Sequence, residues 1–589
     1  MSSSSHRTGL EQPSVVTSCR RALAVFASAT ILLVACGKSA SDKTATTTIA
    51  PAGGTTPAAG ATTVSPTSNT TAGGGSTPGT SVSELAVTTP AGKNPVDTVT
   101  WSLYREVSSL DPIFSFDYPE NTVLAQLCET LVRQAPDGSI ESALADLSQP
   151  DDKTLVFTLR DGVTFWNGDP VTADDVVFSL GRARDATLGG FYAAVFSRVD
   201  SITATSTTVV TVTLTQPDNW LVGELASTPG WIVQQKFVEA AGADFGNPTG
   251  KTMCSGSFKV GDWSVGEKLS IVRNDTYWDS TVKPLVAQID FVPVADAATL
   301  TTGLLAGDID GSYQFGAVPT IDQLKGSSKI SVIEGAGWNT EALIISSFTG
   351  AFGKKEIRQA LSLALDRQAY IDAVYKGTAT LPKSLSAPGT WGYGRDIFVA
   401  GYDALPPMTQ DLEQAKRLAD GAGAAGQTIT IGFVSESESQ QAQANAYKTA
   451  AEAIGLKVVL KGVSADQYIN FFIDAEFRKG VDGFFTVNYG DFADPAALLS
   501  TLVLPEGSQN YTGYENPEVT SLLEAARTTS DPNERASKVV AAQALIVDDM
   551  PWIPTAFPSN TVVTDSGLSG AVASFAYMFA PWANDLGGL

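Results

Sequence analysis

The run from residue 154 to 180, TLVFTLRDGVTFWNGDPVTADDVVFSL, constrains the local fold more than any other stretch of this chain. Leu155, Phe157 and Leu159 stand at alternate positions, which is the pattern of a half-buried strand. An Asp-Gly pair at 161–162 predicts a turn, and the apolar alternation that follows it predicts a second strand. The run therefore begins with a predicted hairpin.

A helix is predicted directly after this hairpin. The residues at 167–170, NGDP, break the second strand, and Thr172 with Asp175 has the spacing of a capping box. The apolar positions of the predicted helix are Val176, Val177 and Leu180. Farther along, 357–365 carries a helical apolar stripe, and a helix-like run at 441–454 is followed by a short strand at 456–460. Helices and strands alternate along the chain, so the sequence predicts the α/β class.

The 154–180 run resembles the signature of the family 5 extracellular solute-binding proteins, which are the oligopeptide-, dipeptide- and nickel-binding components of ABC importers. In that family a strand ending in LRxGVxF precedes an HDGxPVTAxDVVxSL run. Here Trp166 and Asn167 replace the histidine and the aspartate. Further segments resemble other motifs of the family and occur in the same order along the chain. They lie at 110–112, 254–258, 273–278, 305–310 and 357–366.

The resemblance implies a type II periplasmic-binding-protein-like clamp of two α/β lobes with an extra inserted domain, and a ligand held between lobes I and III. The implied boundaries are 1–35 for a signal peptide, 36–95 for a lipidated cysteine and linker, 96–135, 251–335 and 551–589 for lobe I, 136–250 for inserted domain II and 336–550 for lobe III.

The N-terminal region has the features of a bacterial lipoprotein leader. Arg20 and Arg21 precede an uncharged run at 22–35, which is shorter than the roughly 20 apolar residues that a membrane span needs. The end of this run, LVAC, resembles a lipobox, in which Cys36 is diacylated and becomes the new N-terminus. The alternative is a chance cysteine after an ordinary signal peptide. From residue 37 to about 94 the chain is rich in Thr, Ala, Gly, Ser and Pro, which predicts a disordered tether.

Composition excludes several kinds of site and partner. The single histidine, His6, falls in the predicted signal peptide, so triads, Cys/His dyads and histidine-based zinc sites are not expected in the mature chain. A formal charge of −24 argues against nucleic acid as a partner. Two carboxylates alone could still form a glycosidase pair or a calcium site. The family resemblance implies a binding protein instead, so we expect no enzyme activity, no cofactor and no metal.

Two cysteines, Cys128 and Cys254, remain after processing, on the oxidising side of the membrane. Paired cysteines in that environment commonly form disulfides, and the alternative is two buried small apolar residues.

The segment NYGDFADP, at 488–495, supplies the candidate ligand residues. It resembles the family segment whose aspartate binds the ligand's α-ammonium group, and that aspartate falls on Asp491. Asn488 takes the place of the family's tryptophan, and Tyr489 is expected to face the cleft. The alternative for Asp491 is a cap at a helix N-terminus. We interpret Asp494, before Pro495, as a turn or helix-start residue.

The remaining candidates lie elsewhere in the chain. The stretch after the 110–112 motif matches one that lines the ligand in oligopeptide-binding members, which implies roles for Phe116, Asp117 and Tyr118. Trp338 and Trp391, each flanked by glycines, are pocket candidates, with packing anchors as the alternative.

The sequence therefore predicts a monomeric, lipid-anchored protein on the extracytoplasmic face of the cytoplasmic membrane. It would deliver a small solute, a peptide or another amine, to separate permease and ATPase subunits of an ABC importer. A sensor or adhesin on the same fold remains an alternative, as does a carboxylate-dependent hydrolase.

Overall fold

The computed structural model of the protein describes residues 86–313 and 320–589, apart from the side chain at position 466. The predicted signal peptide, the lipidation site Cys36 and the linker up to residue 85 lie outside the described residues. The strands are β1 Val87–Thr88, β2 Val96–Leu103, β3 Val132–Gln134, β4 Ile140–Ser142, β5 Ala145–Asp151, β6 Thr154–Leu159, β7 Val199–Ala204, β8 Val209–Leu214, β9 Phe258–Ser264, β10 Lys268–Arg273, β11 Val286–Pro293, β12 Gly311–Tyr313, β13 Ile330–Gly335, β14 Thr340–Ile345, β15 Ala379–Thr380, β16 Thr428–Val434, β17 Lys457–Val463, β18 Gly483–Asn488, β19 Trp552–Pro558, β20 Asn560–Asp565, β21 Leu568–Ser569, β22 Val572–Ala573 and β23 Gly587–Gly588. The helices are α1 Tyr118–Leu127, α2 Ala173–Arg184, α3 Leu221–Leu225, α4 Gln235–Ala241, α5 Ala297–Ala306, α6 Ile321–Lys325, α7 Lys355–Ala364, α8 Arg367–Val374, α9 Arg395–Ala404, α10 Leu412–Ala422, α11 Glu438–Ala453, α12 Ala465–Tyr468, α13 Asn470–Ile473, α14 Pro495–Val503, α15 Pro517–Thr528 and α16 Pro532–Asp549.

Lobe I is built on a seven-stranded sheet of order β13-β20-β12-β2-β11-β10-β9. Strand β2 from the start of the folded chain pairs in parallel with β11 and β12, and β12 pairs with β20 from the C-terminal end. Distant parts of the chain also share its core, where the rings of Trp101 and Trp582 lie 4.5 Å apart. Lobe I is therefore discontinuous in sequence.

Lobe III is built on a six-stranded sheet of order β15-β19-β14-β18-β16-β17. Helices α7, α10 and α11 cover one face and contribute to a core that includes Leu343 and Phe485 from β14 and β18. Every residue of β14 is buried, as expected for a central strand covered on both faces.

Inserted domain II carries the run from 154 to 180. Strand β6 lies inside a four-stranded sheet of order β5-β6-β8-β7, and Leu155, Phe157 and Leu159 all point into its core. The capping box that begins α2 is complete, because Thr172 and Asp175 bond each other's backbone amides. The predicted strand and helix are confirmed.

The predicted second strand of the hairpin is wrong. Residues 163–171 form a tight loop instead, in which Thr164 bridges Pro170 and the amide of Phe165 donates to the carbonyl of Asp169 at 2.8 Å. The turn residues NGDP fold the chain back on itself within this loop, so β6 pairs with β5 and β8.

Two crossovers join the sheets of lobes I and III. The first, at 336–339, lies between β13 and β14, and the second is Ser559, between β19 and β20. The two connections run side by side. The side-chain amide of Asn560 donates to the carbonyl of Ala336 at 2.7 Å. A Cβ on Gly337 would lie 2.3 Å from the carbonyl oxygen of Pro558. We call these two adjacent connections the hinge segments, because a movement of one lobe against the other would have to bend the chain there.

Two boundaries differ from those expected. Strand β19 pairs with β14 in lobe III, so the chain returns to lobe I after Pro558 and not at residue 551. At the other end, Val87 and Thr88 pair with Val572 and Ala573, so the last residues of the predicted linker lie on the folded body. Composition does not reveal such pairing, because a two-residue strand has no periodicity to read.

Cys128 and Cys254 form a disulfide with a Cα–Cα distance of 4.9 Å. Cys128 caps the C-terminal end of α1, and the next turn of chain is held there too, because the amide of Gly256 donates to the carbonyl of Leu127 at 2.9 Å. The bridge ties α1 to the point where the chain re-enters lobe I. Among the helices of the described ranges, none is long and apolar enough to cross a membrane.

The two hinge segments lie so close together at Gly337 that a side chain added there should destabilise the protein. Gly337→Ala should lower the free energy of unfolding by about 1–3 kcal/mol, because the new Cβ meets a backbone oxygen that cannot move away freely. Gly421→Ala in α10 is the control: nothing lies within 4 Å of its Cβ position, and alanine should stabilise the helix. Urea unfolding of both variants measures the difference, and equal effects would contradict the prediction.

Removing the disulfide should destabilise the protein. The bridge closes a loop with a sequence separation of 126, so the variant Cys128→Ala/Cys254→Ala should lose about 2–5 kcal/mol of unfolding free energy. Guanidinium unfolding of the variant and of the reduced wild type checks this, and a midpoint unaffected by reductant would count against it.

Candidate ligand site

The segment at 488–495 connects lobe III's strand β18 to helix α14. Asp494 is the N-cap of α14: its carboxylate accepts from the amide of Ala496 and from the hydroxyl of Tyr393, each at 2.8 Å. The prediction of a helix-start role for Asp494 is confirmed, and the cap alternative does not apply to Asp491. The tight start of α14 leaves residues 489–493 as a short loop at the edge of lobe III.

The backbone of Asp491 is held by a hydrogen bond, whereas its carboxylate is not held by any residue that the structure describes. Its backbone oxygen accepts from the side-chain amide of Gln134 at 2.7 Å, which fixes the chain at this point. Within 86–313 and 320–589, no hydrogen bond or ion pair holds the carboxylate itself. Burial raises the pKa of Asp491 to about 6. A carboxylate in this position is stabilised only when a cation or a proton joins it.

Tyr489 connects this loop to lobe I. Its hydroxyl donates to the backbone oxygen of Phe116 at 3.0 Å, and its ring lies 5.2 Å from the ring of Tyr118 in an edge-to-face contact. Tyr118 also accepts a hydrogen bond at 3.2 Å from Asn339, the last residue of the first hinge segment. The structure thus brings Tyr489, Phe116 and Tyr118 together where the lobes meet.

Asn488 and Asp117 are in the same region, but their side chains are occupied. The Asn488 amide oxygen accepts from the amide of Tyr489 at 2.9 Å, and its nitrogen donates to Gln509 at 3.0 Å. The Asp117 carboxylate caps α1, pairs with Arg105 at 2.7 Å and accepts from the hydroxyl of Tyr104. Both residues hold the site in shape and offer no unpaired group in this arrangement.

The two candidate tryptophans have different positions. Trp338 is 3% exposed; its indole nitrogen donates to the carbonyl of Gly490 at 2.8 Å, and its ring stacks on Phe575 at 5.2 Å. Trp338 therefore positions the loop that carries Asp491. Trp391 is buried in the lobe III core against Phe398, which agrees with the alternative that it is a packing anchor.

Sequence reasoning missed two polar residues near Asp491. Gln134 belongs to β3, and Glu224 belongs to the short helix α3 of the inserted domain. Neither stands in a motif, and only the tertiary fold brings them to the loop. In the residues that the structure describes, no three Cys, His, Asp or Glu side chains are grouped as a metal site would require.

Comparison with known proteins identifies the family. Residues 139–510 match the sequence profile described as "Bacterial extracellular solute-binding proteins, family 5 Middle". The chain belongs to this family.

Other members of the family match this chain along most of its length. The oligopeptide-binding protein OppA of Bacillus subtilis is 26% identical over 509 residues, which cover 81% of this chain and 90% of the relative. The periplasmic murein peptide-binding protein MppA of Escherichia coli is 26% identical over 476 residues, or 76% of this chain and 85% of that protein.

Solved structures show the same fold. The substrate-binding protein CtaP of Listeria monocytogenes superposes with a TM-score of 0.72 at 23% identity, covering 84% of this chain and all of that one. The protein DppA of Helicobacter pylori, solved with the peptide STSA, gives a TM-score of 0.71 at 23% identity over 85% of this chain and 98% of that one. The family 5 type II binding-protein fold is thereby established.

The Tyr489 contact predicts a role in holding the lobes together. Tyr489→Phe removes a hydrogen bond between lobes, so the closed fraction should fall, with a change of about fivefold in the opening equilibrium for a bond of about 1 kcal/mol. Energy transfer between dyes at the exposed positions 262 and 413, in lobes I and III, measures it.

Tyr468→Phe is the matched control for this experiment. Its hydroxyl donates to the backbone oxygen of Phe485 at 2.8 Å, which is the same chemistry within lobe III alone. Energy transfer in this variant should equal that of the wild type. Equal transfer in the Tyr489 variant would contradict the prediction.

Proposed function

We propose that the protein is an extracytoplasmic solute-binding lipoprotein that captures a peptide or another amine-containing solute between lobes I and III and delivers it to an ABC permease. Membership of family 5 supports a solute-binding role. Relatives named for oligopeptide, dipeptide and murein peptide binding favour peptides as the solute. The leader and tether described above support an anchor at Cys36, which would keep the protein at the outer face of the cytoplasmic membrane.

The observation that carries the proposal is the half-buried Asp491 carboxylate, which no cation of the described ranges accompanies. An ammonium group that enters the cleft supplies the missing charge and several N–H donors at once. The same group bound at an exposed carboxylate would gain little, because water screens the pair. Closure of the lobes around the solute therefore favours an amine over a neutral compound of the same shape.

The pKa of about 6 predicts how binding depends on pH. Below that pH the Asp491 carboxyl takes up a proton and can no longer pair with an ammonium group, so affinity should fall as pH decreases, by up to tenfold per unit. Calorimetric titration with short peptides from pH 8 to 5 measures this. In Asp491→Asn the dependence should be flat.

Chemical modification of the ligand tests whether its ammonium group is needed for binding. N-acetylation of the same peptides removes the positive charge and should weaken binding by about 30-fold or more, since breaking a buried charge pair costs on the order of 2–5 kcal/mol. Asp491→Asn should bind free and acetylated peptides alike. Asp420→Asn, which removes an exposed charge from α10, should behave as the wild type. Equal affinity of Asp491→Asn and wild type for a free peptide would overturn the assignment.

Experiments with the host organism are needed to identify the natural cargo and to test the transport role. Native mass spectrometry of protein purified from its host without refolding should show a bound amine, released with its mass unchanged. Product formation from that cargo would favour the hydrolase instead. Cells that lack the protein should lose uptake of the labelled cargo, and intact uptake with an altered transcriptional response would favour the sensor.

A further inference from the structure

A second acidic side chain, Glu224, lies beside the loop that carries Asp491. It stands on α3 of the inserted domain, and the residue before it, Gly223, touches the residue after Asp491. A Cβ on Gly223 would lie 2.2 Å from the ring of Phe492. Helix α3 and the loop therefore meet without a gap, and Glu224 and Asp491 are each one position from that contact.

The Glu224 side chain has an oxygen without a partner. Its Oε2 atom is fully buried and receives no hydrogen bond from the residues that the structure describes. Burial, followed by the charge of nearby Asp491, raises the pKa of Glu224 well above its usual value. Two half-buried carboxylates thus lie close together between the inserted domain and lobe III.

The nearby cation is already committed to another acid. Arg527 donates to both carboxylate oxygens of Asp218, at 2.9 and 2.6 Å, and its guanidinium lies 4.4 Å from the ring centre of Trp220. The charged and titratable groups that act on Glu224 are Asp491, Asp218, Arg527 and Asp494, and Tyr192 and Tyr489 also face Asp491. Negative groups outnumber positive ones around this region.

Gln134 offers another acceptor at the same place. It is 1% exposed, and its amide nitrogen is held at the carbonyl of Asp491. A carbonyl accepts only from the nitrogen end of an amide, so this bond fixes which end is the oxygen. That oxygen, Oε1, is buried without a partner among the described residues. When Glu224 is ionised, the two unpartnered atoms near Asp491 are both acceptors, so both call for N–H donors.

We propose that the site selects solutes with two cationic nitrogens close together, one bound by Asp491 and the second by Glu224. A peptide whose first residue has a basic side chain carries such a pair, as its α-ammonium and its side-chain ammonium or guanidinium. This inference rests on the proposed function, in which Asp491 binds the first of these groups.

The preference follows from the number of charges. Two carboxylates in a region of low dielectric repel each other, so without a counter-charge at least one is held as the neutral acid. A monocation can neutralise one of them, and the other remains protonated. A dication pairs with both and also supplies the extra donors that Glu224 and Gln134 lack. Binding a dication therefore releases a proton that binding a monocation does not.

The test uses tripeptides X-Ala-Ala with a graded first residue. X is diaminopropionate, diaminobutyrate, ornithine or lysine, and each is compared with the neutral residue of matching length, such as norvaline or norleucine. By calorimetry one basic chain length should bind at least about tenfold more tightly than its neutral partner. Titration in buffers of different ionisation enthalpy should show up to one more proton released for the basic peptide than for its neutral partner at the same pH.

Variants of Glu224 separate binding from a merely structural role. Glu224→Gln should abolish the preference and the proton release, with the affinity for the neutral peptide retained. Glu224→Asp withdraws the carboxylate by one methylene, so the preferred side chain should lengthen by one methylene. This shift also decides the matter if Glu224→Gln does not fold. Glu239→Gln, on the exposed side of α4, should bind as the wild type does.

The outcomes separate this inference from the proposed function. If neutral tripeptides bind through Asp491 and no basic one binds more tightly, the second cation site is wrong and the amine-binding role stands. If Glu224→Asp loses the preference at every chain length tested, Glu224 has only a structural role and the inference is overturned. If acetylated and free peptides bind equally, the proposed function itself fails.

Discussion

An ionised carboxylate that leaves water loses several kcal/mol of solvation unless a cation accompanies it, and Asp491 lies where this loss occurs. Lobe III carries the residue on a loop that lobe I and the inserted domain cover. We propose that this cost is small while the cleft is open and large once it closes, which would couple closure to cation binding. A clamp with this property would bind a charged solute and release it unchanged when the lobes part.

The surrounding residues hold the loop while leaving that carboxylate available. Trp338 bonds the carbonyl of Gly490, Gln134 bonds the carbonyl of Asp491, and Asp494 begins the next helix. Each contact uses backbone or a neighbouring side chain. Trp338 belongs to the first hinge segment, so a connection between the two sheets also positions the loop that carries Asp491.

Local chemistry explains which features could be predicted from sequence. Strand β6, the capping box of α2 and the cap at Asp494 depend on neighbouring residues, and all three are as expected. The family resemblance implied a lobe I made of distant parts of the chain, and β12 does pair with both β2 and β20. The second hairpin strand was wrong, because whether an apolar pair joins a sheet depends on partners elsewhere. Glu224 was not found, because a lone acid in a short helix has no pattern and only the fold places it near Asp491.

Comparison with the other buried charges shows why these two acids stand out. Asp111 pairs with Arg182, and the guanidinium of Arg367 donates to carbonyls of its own lobe. Glu341 is the informative contrast: burial raises its pKa to about 7 and one oxygen lacks a partner, yet Tyr370 donates to the other and both residues lie inside lobe III. An acid enclosed within one lobe keeps its surroundings when the clamp opens. Asp491 and Glu224 lie where lobe III meets the inserted domain, so a relative movement of these parts would change their surroundings, and a ligand could exploit that change.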